Sequence, residues 1–167
     1  MSETATAQNV VFAILALVMI AAGFRLVTTG NVVRAALFLA MVLAGAAGLF
    51  ILLAAEFLAW AQVLVYIGAV VVLLLFGVML TRAPIGTEAE LDNDQRGLAA
   101  LVALFLLGAL GAVLYDAFRD QTLDITSVQR TAAVSDSIFG TYVVPFEVAS
   151  VLLLAALVGA VSLARRD

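Results

Sequence analysis

The feature that most constrains the fold is a set of five apolar stretches, each of a length suited to crossing a membrane. The predicted helices cover about 8–27, 34–54, 57–80, 98–115 and 141–164 of the 167 residues. A helix needs roughly 20 predominantly apolar residues to cross ~30 Å of hydrocarbon. Hydrophobic residues make up 65% of the chain and charged residues 12%, far from the balance of soluble domains. The sequence therefore indicates an integral membrane protein.

Glu56 is the only charged residue after Arg34 in a long apolar region that ends at Leu80. A single helix over 35–80 would be about 69 Å long at the usual rise of ~1.5 Å per residue, roughly twice the thickness of the hydrocarbon core. We therefore predict a tight hairpin near Glu56. The expected fold is an all-α protein of five transmembrane helices that form a single domain over 1–167, with polar loops at 82–97 and 116–140.

The distribution of arginine predicts the orientation of the chain in the membrane. The chain has no lysine, and six of its eight arginines fall at the loops or terminus of one side, namely Arg25, Arg34, Arg82, Arg96, Arg165 and Arg166. Cytoplasmic loops carry the excess of positive charge, so the N-terminus is predicted outside and the C-terminus in the cytoplasm. The tail "MSETATAQN" has no basic residue, and the first helix is therefore expected to remain as an anchor.

Several classes of function are disfavoured by what the chain lacks. It contains no Cys and no His, the residues that usually hold Fe–S clusters, haem or zinc, so we expect no cofactor and no metal in this chain. It has no glycine-rich phosphate loop and no basic surface that would suggest nucleic acid. Five helices cannot form the two equal halves found in many transporters, which disfavours a stand-alone carrier.

Small residues within the apolar stretches predict close contacts between helices. Ala44 with Gly48, and Ala155 with Gly159, have the spacing of four residues that lets two helix backbones approach in lipid. These pairs are interpreted as packing surfaces, either within the chain or against other subunits.

Two carboxylates lie within or beside the apolar stretches, where an ionisable group costs about 2.5–3.5 kcal/mol on insertion scales. Glu56 lies at the predicted hairpin, where it is either a structural interfacial residue or a proton-handling group. Glu147 follows Pro145 by two residues in "YVVPFEVAS". If Pro145 begins the last helix, Glu147 favours the helix dipole in the first turn; if the helix begins near Phe139, Glu147 is a polar site below the surface.

The third stretch, "QVLVYIGAVVVLLLFGVML", carries polar and flexible residues near the middle of the membrane. Tyr66 lies about 15 Å along a helix from Glu56, and Gln62 is four residues earlier on the same face. Gly77 returns to that face, whereas Gly68 points to the opposite one. Glycine beside the β-branched run 70–72 weakens the α-helix, so a π-bulge is predicted here, a feature common at functional sites.

Two segments resemble a known family. "AEFLAWAQVLVYIGAVVVLLLFGVMLT" and "FGTYVVPFEVASVLLLAALVGAV" resemble the third and fifth helices of subunit J of proton-pumping NADH-quinone oxidoreductase, or respiratory complex I, whose mitochondrial counterpart is subunit 6. The two motifs occur in the same order, and the five-helix layout agrees. The start of the second helix departs from the family, because Val32 and Arg34 replace its usual Pro and His.

The resemblance implies a gating function for the third helix. In the family this helix is said to convert between a regular helix and a π-bulge at a Tyr-x-Gly-Ala step, which makes or breaks a water chain toward the proton-pumping subunits. Carried over, Tyr66 is the polar gate residue and Gly68 the flexible element, with Ile67 and Ala69 completing the hinge.

The resemblance also implies the other site residues, the cofactors and the partners. Gln62 would line the same path, Glu56 would assist at the outer end, and Glu147 matches the acidic residue of the family's last helix. The chain itself would be non-catalytic, with NADH, FMN, Fe–S clusters and quinone on other subunits. Its partners would be lipid and the membrane-arm subunits, including the quinone-channel and antiporter-like subunits, in a bacterial or archaeal plasma membrane.

Two other readings remain open. The first keeps the fold and places it in a related ferredoxin- or coenzyme-dependent dehydrogenase, a membrane hydrogenase or a multisubunit cation antiporter. The second, of another class, is an independent channel or carrier. The subunits that co-purify with the chain distinguish the first reading, and transport by the isolated chain in liposomes distinguishes the second.

Overall fold

A computed structural model describes residues 2–80, 95–120 and 130–165 of the chain. Its described residues form helices connected by turns. In chain order the α-helices are α1 (Ser2–Thr28), α2 (Val32–Leu52), α3 (Glu56–Ala61), α4 (Val72–Leu80), α5 (Arg96–Phe118), α6 (Thr131–Phe139) and α7 (Val143–Ala164). A π-helical segment, Gln62–Val71, joins α3 to α4 without a break.

Five helical spans are long and apolar enough to cross a membrane within the described ranges, as the sequence predicted. They are Thr6–Thr28, Val32–Leu52, Glu56–Leu80, Arg96–Phe118 and Val143–Ala164. The third span consists of α3, the π-helical segment and α4. The N-terminus, the α2–α3 turn and α6 lie on one side of the membrane, which we call the N-terminal side. The arginine-based assignment of this side to the exterior stays a prediction.

The first three spans pack together through small residues of α2. Ala36, Gly45 and Ala47 of α2 are buried, as is Ala22 of α1. A Cβ atom added to Gly45 would collide with the side chain of Met19, whose Sδ would be only 2.8 Å away. Ala44 is exposed, so Gly45 rather than Ala44 supplies the close approach. Helix α1 and the third span both pack on α2.

The predicted hairpin is present, and its turn has the hydrogen bonds of a Schellman motif. The N–H of Ala55 donates to the carbonyl of Phe50 at 2.9 Å, and the N–H of Ala54 donates to that of Ile51 at 3.0 Å. Ala54 adopts a φ of 56°, the left-handed conformation that glycine usually supplies at this position. The turn places Glu56 at the first position of α3.

Replacing Ala54 with Gly is expected to stabilise the hairpin by about 1 kcal/mol, because a left-handed conformation costs an L-residue roughly 1–2 kcal/mol. Ala54→Val should destabilise it, since a β-branched residue tolerates a positive φ less well. The measurement is the denaturation midpoint of the two variants and the wild type in mixed micelles. A lower midpoint for Ala54→Gly would contradict the left-handed turn.

The two remaining spans lie apart from this bundle. All residues of α5 and α7 are exposed, α5 packs on no other helix of the described ranges, and α7 packs only on α6. The pair Ala155 and Gly159 is thus not covered by this chain. The prediction of a loop over 116–140 is wrong for its last part, because α6 occupies Thr131–Phe139. Much of the loop predicted at 82–97 lies outside the described residues.

Candidate functional site

The candidate site is the π-helical segment Gln62–Val71 in the middle of the third span. Its backbone forms hydrogen bonds five residues apart rather than four, so each turn takes more residues than the 3.6 of an α-helix. Four of its ten residues are valine and one is isoleucine, and these β-branched residues fit an α-helix less readily. Gly68 is the one residue of the segment without a side chain. Tyr66 and Gly68 both lie inside this segment rather than at its edge.

The wider winding changes which residues of the span face α2. Val71 is buried, and Gln62 and Ile67 are half-buried, so these residues form the face covered within the chain. The sequence reasoning used α-helical geometry and placed Gln62 and Tyr66 on one face. In the structure Tyr66 is 51% exposed and lies away from the covered face. The two polar residues that the α-helical pattern had placed on one face therefore differ in exposure within the chain.

Tyr66 has an exposed ring and a hydroxyl that makes no hydrogen bond with any residue of 2–80, 95–120 or 130–165. A hydroxyl in hydrocarbon without a hydrogen-bond partner is costly. Tyr66 is the eleventh of the 25 residues of the span, well away from either end. Its hydrogen-bond partner in the membrane therefore lies outside the described residues.

Gly68 is exposed, and the space beside it is open. A Cβ atom at this position would lie 3.5 Å from the carbonyl oxygen of Val63, an ordinary contact. The glycine is thus not required by close packing within the chain, in contrast to Gly45 in α2. Its flanking residues Ile67 and Ala69 are half-buried and exposed, respectively. What Gly68 contributes locally is backbone freedom.

Glu56 lies at the start of α3, as predicted, and is exposed at the N-terminal side. A carboxylate in the first turn interacts favourably with the helix dipole. It forms no ion pair with any residue that the structure describes. This position is compatible with both readings of Glu56, as an interfacial residue or as a proton-handling group.

Glu147 lies between the two positions considered from the sequence. Helix α7 begins at Val143, with Tyr142 as its cap, so Pro145 is the third residue and Glu147 the fifth. Neither alternative start, at Pro145 or near Phe139, is found, and α7 begins two residues after the predicted start at about 141, because the turn at 140–142 separates α6 from α7. The Glu147 side chain is exposed, and its backbone carbonyl accepts a hydrogen bond from Ser150 Oγ at 2.7 Å.

The candidate residues do not form one pocket within the chain. Tyr66, Gly68 and Gln62 share the π-helical segment, Glu56 lies at the start of the same span, and Glu147 lies on α7, which does not pack on that span. No group of three metal-ligating side chains occurs among the described residues. The sequence reasoning missed α6, which contacts both α3 and α7; its signal is the short apolar pattern of Val134, Ile138 and Phe139 in an otherwise polar segment.

A family model for NADH-ubiquinone/plastoquinone oxidoreductase chain 6 matches residues 22–163. The match includes α2, the whole third span, α5 and most of α7.

Individual relatives match along nearly the whole chain. F(420)H(2) dehydrogenase subunit J of Methanosarcina mazei is 41% identical over 170 residues, which cover 98% of this chain and 94% of the relative. NAD(P)H-quinone oxidoreductase chain 6 of Leptolyngbya boryana is 38% identical, over 96% of this chain and 81% of the relative. The chloroplastic NAD(P)H-quinone oxidoreductase subunit 6 of Mesostigma viride is 32% identical, over 100% of this chain and 89% of the relative.

Proposed function

The chain belongs to the NADH-ubiquinone/plastoquinone oxidoreductase chain 6 family, and we propose from this that it is a membrane-arm subunit of a proton-translocating quinone oxidoreductase. It contributes to the coupling of quinone reduction to proton movement through a change of helical register in its third span. The observation that carries this proposal is the π-helical segment Gln62–Val71, which contains a tyrosine with no hydrogen-bond partner in the described residues.

The mechanism follows from what a change of register does to a helix. When π-helical hydrogen bonds become α-helical ones, each N–H donates to a carbonyl one residue closer in sequence. This change turns the span on one side of it by up to about 100° relative to the other side. Such a turn moves the Tyr66 hydroxyl into or out of contact with polar groups outside this chain. A chain of waters that needs this hydroxyl is thereby made or broken.

Gln62, Glu56 and Glu147 have supporting functions in this proposal. Gln62 is half-buried four residues before Tyr66 and presents an amide that both donates and accepts hydrogen bonds. Glu56 and Glu147 lie at the N-terminal side, at the beginning of their helices, where they could exchange protons with water. The redox reaction itself takes place elsewhere: this chain is a non-catalytic subunit, and NADH, FMN, Fe–S clusters and quinone are bound by other subunits.

The partners are the other membrane-arm subunits, including those of the quinone channel and the antiporter-like type. The bare surfaces of α5 and α7, which this chain leaves uncovered, support contact with other proteins and lipid. The proposed location is the plasma membrane of a bacterium or an archaeon.

The relatives point to two candidate electron donors for the complex. The names of the relatives include an F(420)H(2) dehydrogenase and NAD(P)H-quinone oxidoreductases. Purification of the tagged chain from its native membrane, followed by identification of the co-purifying subunits, distinguishes them. Recovery with flavin and Fe–S subunits supports the proposal, whereas recovery with antiporter subunits alone, or uptake of ions by the isolated chain in liposomes, would overturn it.

Replacing Glu147 with Gln is expected to lower the number of protons moved per electron by less than about twofold, because a carboxylate near a helix start contributes mainly through the helix dipole. The measurement is proton uptake in vesicles beside electron transfer from the donor to quinone, with a native gel to verify the complex. Complete loss of proton movement in an intact complex would show that Glu147 itself is protonated and deprotonated during turnover.

A further inference from the structure

Helix α6 packs against the start of the third span. Val134, Ser135 and Ile138 are half-buried, and their spacing of one and four residues places them on one face of α6. Val134 lines an apolar gap of about 330 Å³ together with Ala55, Phe57 and Leu58 at the beginning of α3. The contact between α6 and α3 therefore joins apolar side chains immediately before the π-helical segment begins.

The other end of α6 is joined firmly to α7. The rings of Phe139 and Phe146 pack edge to face, with their centroids 5.1 Å apart and their planes at 68°. The N–H of Gly140 donates to the carbonyl of Asp136, and the N–H of Tyr142 to that of Ser137, both at 2.9 Å. A Cβ atom at Gly140 would lie 2.7 Å from the carbonyl oxygen of Asp136, so this corner requires glycine. Helix α6 is thus a short, well-connected element between α3 and α7.

The two ends of the third span are held unequally. At the N-terminal side α3 is fixed by the Schellman turn of only three residues after α2, by packing on α2, and by α6. At the other end, among the described helices outside the span, α4 packs on α2 alone, and Leu73, Phe76 and Met79 are exposed. A change of register inside Gln62–Val71 meets more resistance at α3 than at α4.

We propose that α6 is a brace that holds α3 and the beginning of α7 in a fixed relation while the register of the π-helical segment changes. This inference rests on the proposed function, because it concerns the same change of register. With α3 fixed, the whole turn is delivered to the residues that follow Gln62, Tyr66 among them, and none is lost at the N-terminal side. Without the brace, the turn is shared between both ends and Tyr66 moves less far.

The first test joins α6 to α3 covalently. Leu58 and Val134 line the same gap and the chain has no cysteine, so Leu58→Cys with Val134→Cys gives one cysteine pair in this subunit. A short bifunctional thiol reagent is expected to cross-link the pair within the intact complex, and the cross-linked complex should move protons per electron as the wild type does. Each single-cysteine variant treated with the same reagent is the control. Failure to cross-link, or loss of coupling in the double variant alone, would overturn the brace.

The second test loosens the brace. Phe139→Ala removes the ring that packs on Phe146 and is expected to reduce protons per electron severalfold in an intact complex, whereas Phe139→Tyr keeps the ring and should retain coupling. Phe105→Ala, an exposed phenylalanine of α5, is the matched control for loss of a ring. Wild-type coupling in Phe139→Ala would contradict the brace.

The two proposals fail in distinguishable ways. If Phe139→Ala and Gly68→Val both leave coupling unchanged, the proposed change of register is wrong, and so is the proposed brace. If Gly68→Val uncouples the complex but the cross-link between positions 58 and 134 uncouples it as well, the gating proposal stands and the brace alone is wrong.

Discussion

Replacing Gly68 with Val should reduce the protons moved per electron severalfold while the complex remains assembled. A β-branched side chain is stiff about χ1 and crowds the preceding turn of a helix, and glycine is the residue whose backbone changes conformation most readily. In the proposed mechanism the change of register passes through Gly68, the seventh of the ten residues of the π-helical segment. A valine there raises the barrier between the two registers or traps one of them.

Gly68→Ala is the matched control for the added side chain. A Cβ atom has room at this position, 3.5 Å from the Val63 carbonyl oxygen, so alanine fits the π-helical conformation. Alanine should therefore preserve much more coupling than valine. Equal losses for alanine and valine would indicate that any side chain disturbs a contact outside this chain, and wild-type coupling in Gly68→Val would show that the proposed change of register is wrong.

The measurement combines proton uptake in vesicles, electron transfer from the donor to an artificial acceptor, and a native gel. Electron transfer to the acceptor should be unchanged, because the proposed function places the redox centres on other subunits. Tyr66→Phe in the same assay is expected to have a smaller effect than Gly68→Val, since it removes one hydroxyl while keeping the ring, and a water can bridge the remaining gap.

The five spans and the hairpin at Glu56 were predictable because they depend on length and hydrophobicity alone. Helix α6 was not, since its nine residues are mixed in polarity and its stability comes from contacts with α3 and α7 that are distant in sequence. Helix α7 was predicted to begin at about 141 and begins at Val143, after the turn at Gly140.

The residues of the candidate segment could be singled out from the sequence, whereas their functions stay predictions and their exposure could not be derived. Tyr66 and Gly68 were singled out as a phenol and a glycine within a β-branched apolar run, and both lie in the π-helical segment. The exposure of each residue could not be derived, because it depends on how the third span packs on α2, where Gln62 is half-buried and Tyr66 is exposed. Likewise the small-residue pattern identified the right part of α2 but favoured Ala44 over Gly45, since spacing alone does not specify which face meets α1.

Gly45→Val is expected to prevent normal assembly, because the added side chain occupies space that Met19 of α1 already fills. A Cβ atom at Gly45 would lie 2.8 Å from Met19 Sδ and closer still to Cγ, so α1 and α2 must separate or Met19 must leave its position. Overfilling a packed contact costs about 1–3 kcal/mol. Because no hydrophobic effect drives helices together in lipid, the lost packing between α1 and α2 is not compensated. The expected result is a severalfold lower amount of intact complex on a native gel.

Ala44→Val is the matched control, since it adds a branched side chain one residue earlier on a face that this chain leaves exposed. It should assemble nearly normally. Combining the smaller change Gly45→Ala with Met19→Ala should also assemble, because shortening the methionine vacates the space that the new methyl group needs. If Met19→Ala gave Gly45→Ala no benefit, or if Ala44→Val and Gly45→Val were equally harmful, the close approach of α1 to α2 at Gly45 would not be what limits assembly.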